Sequence, residues 1–301
     1  MEKIFFKLVL IALFIAIDFC GYAQFRNIWK RKPHEVSFGI GTNTFLGELG
    51  GSNSIGSHSI KDMDFKATRF DFHGSYTYRF HERWACGASL SFGMISGNDA
   101  FTGNDARNAR NLSFRSPLLE LSPLIYFYPM VDDYSISRKI GQRGKAVVKP
   151  RLYLFTGVSG IWFNPRGKYT DGKWHSLQPL GTEGQGIIST RQKYSRIAVG
   201  IPCGIGADWP LTQEWLIGVN LQFTYTFTDY LDDVSTTYVD PNIFDNDIAR
   251  YFSDPTKYSD KPFAGGGAGE QRGNSAAMDS YIFLSVKATY RFGQKYYRPK
   301  Y

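Results

Sequence analysis

"WLIGVNLQFTYTF", Trp215 to Phe227, puts Trp215, Ile217, Val219, Leu221, Phe223, Tyr225 and Phe227 on one face and Gly218, Asn220, Gln222, Thr224 and Thr226 on the other. Period two is the repeat of a β-strand, and a face of glycine, amide and hydroxyl positions makes no apolar core. The run exceeds the roughly 5 to 6 residues of an ordinary strand and meets the roughly 9 to 11 that cross a bilayer. Its apolar face is therefore read as meeting lipid, and its polar face as lining an enclosed interior.

The preceding run repeats the pattern, with Ile197, Val199, Ile201, Cys203, Ile205, Ala207 and Trp209 opposing Ala198, Gly200, Pro202, Gly204, Gly206 and Asp208. Leu211 to Glu214 join the two as a hairpin. Six more runs follow the rule: Val36 to Leu46, Phe65 to Phe80, Trp84 to Gly97, Leu112 to Tyr128, Arg151 to Phe163 and Ser280 to Phe292. Arg151 to Phe163 is ambiguous, because both of its faces carry bulky residues. An even strand number with alternating short and long connections predicts an all-β fold, an eight-stranded antiparallel transmembrane β-barrel of the outer membrane. Phe80, Trp84, Phe127, Tyr128, Trp209, Trp215 and Phe292 all fall at strand ends assigned to the periplasmic side and are expected to form one aromatic girdle there.

Lys3 and Lys7 flank an apolar run from Leu8 to Ile17 that is too short for a membrane helix, and Gly21 to Ala23 follow it. Residues 1–23 read as a secretory leader, with a lipoprotein leader ending at Cys20 as the rival. Residues 24–33 then form a periplasmic segment, 34–292 the barrel and 293–301 a basic periplasmic tail. No later stretch is long and apolar enough to be a membrane helix, and no linker divides the chain. Cys86 and Cys203 sit on apolar strand faces and read as small hydrophobes rather than a disulfide framework. The formal charge of +8 would suit nucleic acid, but a leader excludes that partner, leaving outer-membrane lipid and envelope proteins.

Arg69, Asp71, His73, Arg79, Glu120, Lys287 and Arg291 fall on inward positions, where charges of both signs can pair as a polar plug. His175 and Ser176 with nearby Glu183 are the one set resembling the Ser, His and acid of a lipid-modifying barrel enzyme. Sequence neighbours seldom build a triad, so they read as loop residues. "AGGGAGEQRGN", Ala264 to Asn274, lacks the lysine and helix of a phosphate loop and reads as a flexible loop. The histidines are scattered without metal-ligand spacing. The expectation is a non-enzymatic chain with no cofactor and no metal.

Basic residues converge on the side of the short turns. Arg26, Lys30, Arg31 and Lys32 precede the first strand; Arg138, Lys139, Arg143, Lys145 and Lys149 lie in the one long inner connection; Lys295, Arg298 and Lys300 end the chain. This rim is expected to carry a positive potential and to bind a periplasmic partner.

The chain resembles a known family at its two ends. "GTNTFLGELGG" after the first strand, and "QRGN" with "DSYIFLSVKATYRF" at the last, resemble the PorG family of type IX secretion outer-membrane proteins. Asn43, Gly47, Glu48 and Leu49 match the family's turn segment, with Phe45 for its aromatic and Glu48 for its aspartate; Arg272, Gly273 and Asn274 match its Arg-Gly-Asn. The resemblance implies a barrel that anchors or stabilises a periplasmic ring of a PorK-like lipoprotein and a PorN-like protein. The alternative is a stand-alone OmpA-like or OmpX-like barrel serving adhesion or envelope integrity.

Overall fold

The computed structural model describes residues 28–47, 49, 67–101, 110–130, 150–256 and 267–293. A short helix, Ile28–Arg31, leads into β1 (His34–Leu46), followed by β2 (Arg69–Arg79), β3 (Trp84–Asn98) and β4 (Ser113–Phe127). The next wall position is shared by β5 (Arg151–Gly157) and β6 (Ser159–Phe163). A small hairpin, β7 (Arg166–Lys168) and β8 (Trp174–Ser176), precedes β9 (Ile197–Pro210), β10 (Trp215–Thr226) and β11 (Ser280–Phe292).

Each wall strand pairs antiparallel with its sequence neighbour, and β11 returns to β1 with His34 opposite Phe292 and Leu46 opposite Ser280. The ring of eight wall positions is closed, so no edge is left to aggregate or to face lipid with unpaired backbone. No helix among the described residues is long and apolar enough to cross a membrane.

The eight alternating runs become these eight wall positions. The ambiguous fifth run keeps one parity throughout: Tyr153, Phe155, Ile161 and Phe163 are buried inside, while Leu152, Leu154, Val158 and Trp162 are exposed. Its ladder is interrupted where Pro202 and Pro123, which have no N–H to donate, come opposite residues 157 and 158. Gly204 and Gly206 make room for the bulky inward aromatics, since a Cβ at Gly206 would stand 2.1 Å from the Tyr153 ring. Each large inward aromatic of β5 is thus met by a glycine directly opposite it on the adjacent β9.

Outside, Phe38, Ile40, Phe70, Phe72, Leu90, Phe92, Leu121, Ile205, Leu221, Leu284 and Val286 form a continuous exposed apolar belt. At its lower edge Trp84 packs on Phe127, and Tyr290 stacks on Phe292 and packs at a tilt on Trp215. Phe80 and Trp209 are exposed in the same girdle. Tyr128 is a correction: it is buried in the lumen, because it follows Phe127 in the strand and neighbours must face opposite sides. Cys86 and Cys203 are free thiols.

Candidate functional site

Inside, the barrel is layered. At the end that carries the short turns, Arg151 donates through Nη1 to Glu35 Oε1 at 2.6 Å and through Nη2 to Glu35 Oε2 at 2.9 Å and to Asp208 Oδ2 at 2.6 Å. Arg291 Nε adds a bond to Glu35 at 3.1 Å, and Lys287 Nζ stands 3.2 Å from Asp208. Aromatic faces complete this layer: the Arg79 and Arg151 guanidinium groups lie 4.3 and 4.9 Å from the Tyr128 ring. In mid-lumen, the Glu120 carboxylate accepts from Ser122 and Gln222 at 2.6 and 3.0 Å and from the Tyr281 hydroxyl. Asp71 accepts from Asn43 at 3.1 Å.

The inward charges expected from sequence, Asp71, His73, Arg79, Glu120, Lys287 and Arg291, are buried here, while Arg69 is half-buried at the upper end. Missing from that reading were Glu35, which precedes the run that starts at Val36, and Arg151, at the start of the ambiguous strand. Their pairing crosses the lumen between β1 and β5, which no local pattern encodes.

Above the polar layers the interior turns apolar. Phe45, Leu49, Ile95, Leu112, Phe114, Leu118, Ile161, Phe163, Leu231 and Val234 pack as one cluster across the mouth opposite the short turns. A void lower down, lined by Ser37, Tyr126, Tyr153, Asn220 and Lys287 among others, measures about 10 Å³, room for about one water. The lumen is a filled interior and not an aqueous channel.

The loops at this end lock over this plug. Arg272 Nη1 donates to Glu183 Oε1 at 3.0 Å and to the Asp233 carbonyl at 2.7 Å, and its Nη2 reaches the Phe252 carbonyl at 3.3 Å. Glu183 also accepts from the Ser235 N–H at 2.9 Å and the Thr236 hydroxyl at 2.7 Å. Arg110 pairs with Asp99 and donates to the Arg272 carbonyl at 3.0 Å. Asp233 accepts from Thr182 at 2.6 Å and from Tyr194 at 2.5 Å, and the Tyr194 ring stacks on Tyr230 at 4.4 Å. Burial pushes the Asp233 carboxyl up to about 6, against the opposing pull of Arg272. Four separate loop segments are thereby tied into one cap.

Glu183 is thus bound to Arg272 and two backbone amides, His175 faces Asp171 at 3.5 Å, and Ser176 accepts from Asn164 at 3.2 Å. The structure does not bring the three together as a nucleophile, base and acid. The described part of the expected flexible loop is instead pinned: Arg272 and Gly273 both donate backbone N–H groups to the Thr236 carbonyl at 2.9 Å. Of the resemblance residues, Asn43 is buried in the lumen, Gly47 sits where a Cβ would meet the Phe45 ring and Asp279, and Leu49 and Arg272 line one void of about 30 Å³. Glu48, Arg138, Lys139, Arg143, Lys145, Lys149, Lys295, Arg298, Lys300 and residues 1–23 lie outside the described residues. Of the basic rim, Lys30 and Arg31 are exposed and Lys32 is paired with Glu214. No group of three or more His, Cys, Asp or Glu that could hold a metal occurs among the described residues.

A closed antiparallel ring with a polar, hydrogen-bonded lumen, an apolar exterior and an aromatic girdle defines a transmembrane β-barrel of the outer membrane, and this chain has that architecture. No protein-family model matches it. No curated protein matches its sequence. Solved structures similar to it include Ail, the attachment invasion locus protein of Yersinia pestis, at 11% identity and a TM-score of 0.36, covering 86% of this chain and 99% of that one. Neisserial surface protein A is similar at 9% identity and a TM-score of 0.39, covering 86% and 97%. A major outer membrane protein from Thermus thermophilus is similar at 13% identity and 0.38, covering 86% and 99%.

Proposed function

We propose that the chain is a non-enzymatic outer-membrane barrel that works as a closed scaffold, presenting its cap at the cell surface as a stand-alone OmpA-like or OmpX-like barrel for adhesion or envelope integrity. One observation carries this reading: the loops are tied around the buried Arg272 and Glu183 pair above a filled lumen. A channel needs an open path, whereas a display surface needs a fixed shape. The test is a deletion strain assayed for detergent sensitivity and surface attachment, beside liposome swelling with the purified chain. Swelling by small solutes, or a deletion without envelope or attachment phenotype, would sink it.

A second reading, an accessory of type IX secretion that anchors a periplasmic ring, is favoured by a separate observation. The two ends that carry the PorG resemblance are far apart in sequence, yet Leu49 and Arg272 line the same void. Such convergence supports treating the two segments as one structural motif. In this reading the basic rim holds the PorK-like and PorN-like ring. Purification of a tagged chain in mild detergent discriminates: ring components support secretion scaffolding, and a lone barrel supports the first reading. Reversing the charges of Arg138, Lys139, Arg143, Lys145 and Lys149 should release such a ring.

A further inference from the structure

Among the described residues of the cap, Arg110 pairs with Asp99, Arg250 with Asp247 and Arg272 with Glu183, and Arg191 and Lys193 donate to backbone carbonyls. One sector departs from this. Arg115, Arg166, Lys168 and Arg196 have no carboxylate partner among the described residues, and the last three are exposed. The acid at the nearby β7–β8 turn, Asp171, faces His175 and Lys173.

The register brings Arg115 of β4 and Arg166 of β7 to one place, with Lys168 on the same face of β7, whereas Arg196 lies lower, opposite the inward Phe163. Arg115 is opposite Arg166, Leu119 is opposite Trp162, and Trp162 is opposite Ile197, which directly follows Arg196. Leu119, Trp162 and Ile197 are exposed on the lipid-facing wall. Arg115 and Arg166 stand four positions further outward, roughly 10 Å along the barrel axis, at headgroup height. The Arg115 guanidinium is held 4.7 Å from the Trp174 ring, itself exposed. The planar guanidinium fork matches the oxygens of a phosphate.

We propose that this outward edge of β4, β7 and β9 is a docking surface for a phosphorylated glycolipid of the outer leaflet. Its phosphates lie on Arg115, Arg166 and Lys168, and its acyl chains lie on Leu119, Trp162 and Ile197. An acidic protein or polysaccharide would use the charges alone; only an amphiphile uses the apolar wall that continues beneath them. The inference rests on the cap facing outward.

Native mass spectrometry of the detergent-purified full chain with added lipid A tests it. The unsubstituted protein should retain lipid A, and the triple variant Arg115→Gln, Arg166→Gln, Lys168→Gln should retain about tenfold less or lower still. Lipid A stripped of its phosphates should be held as poorly as by that variant. A Lys30→Gln, Arg31→Gln variant, altered at the opposite end, should bind fully. Heat-modifiable migration in gels confirms a closed barrel in each case. Equal retention by the triple variant, equal retention of the dephosphorylated lipid, or an equal loss at Lys30 and Arg31 would each overturn the proposal. Labelling a Thr170→Cys variant on intact cells with an impermeant reagent reports the orientation separately, so failure of that reading is told apart.

Discussion

Arg272 and Glu183 form a buried ion pair at 3.0 Å, with side chains 2% and 0% exposed, between loops that are 89 residues apart in sequence. Removing one partner leaves the other buried and uncompensated, at a cost of about 3–5 kcal/mol. Arg272→Met is therefore expected to release the cap while the strands below stay paired. Limited proteolysis should cut within residues 228–256 much faster than in the parent, with heat-modifiable migration retained. An uncut cap would place its stability elsewhere.

Asp233 makes the cap sensitive to pH. Its carboxyl is pushed from an ordinary 3.8 up to about 6, first by burial, so the folded cap binds the proton more tightly than the open chain. The resulting stabilisation is complete below about 4 and is lost as pH rises through about 6. Protease resistance of the cap should then be greater at pH 5 than at pH 7.5. Asp233→Asn should flatten that difference, and asparagine suits the positive φ of 68° at this position. A pH difference that survives the substitution would assign it to another group.

Arg151 joins two carboxylates, Glu35 and Asp208, across the lower lumen. Arg151→Met takes its charged hydrogen bonds from both carboxylates, leaving Glu35 with Arg291 and Asp208 with Lys287, and a loss of about 1.5–3 kcal/mol is expected. The urea midpoint for unfolding from lipid vesicles should fall accordingly. Conservative Arg151→Lys should recover part of the loss but not all, since an ammonium cannot reproduce the forked bonds.

Leu221 is exposed at the middle of β10 on the apolar belt. Leu221→Arg should cost about 2–4 kcal/mol at the bilayer midplane and slow insertion into vesicles. Insertion at the parental rate would contradict the assignment of this face to lipid.

The barrel was legible because its cause is local. Strand geometry sends alternate residues to opposite sides, so the period-two pattern of Trp215 to Phe227 by itself separates a lipid face from a lumen face, and the short turns set which strands are neighbours. Even the ambiguous strand obeys this parity once Gly204 and Gly206 are seen to leave room for Phe155 and Tyr153.

The sequence by itself therefore determined a closed ring, its two faces and the presence of charges inside it. Tertiary structure alone decided which charges meet, because Glu35 and Arg151 lie 116 residues apart and join only when the ring closes. The same holds for the cap. A loop rich in glycine looks free along the chain, and Arg272 reveals its place only when Glu183 from another loop and the Thr236 carbonyl from the far part of its own are brought to it. Alternation is a property of neighbouring residues, whereas the pairing of buried charges depends on which distant segments the closed sheet sets face to face.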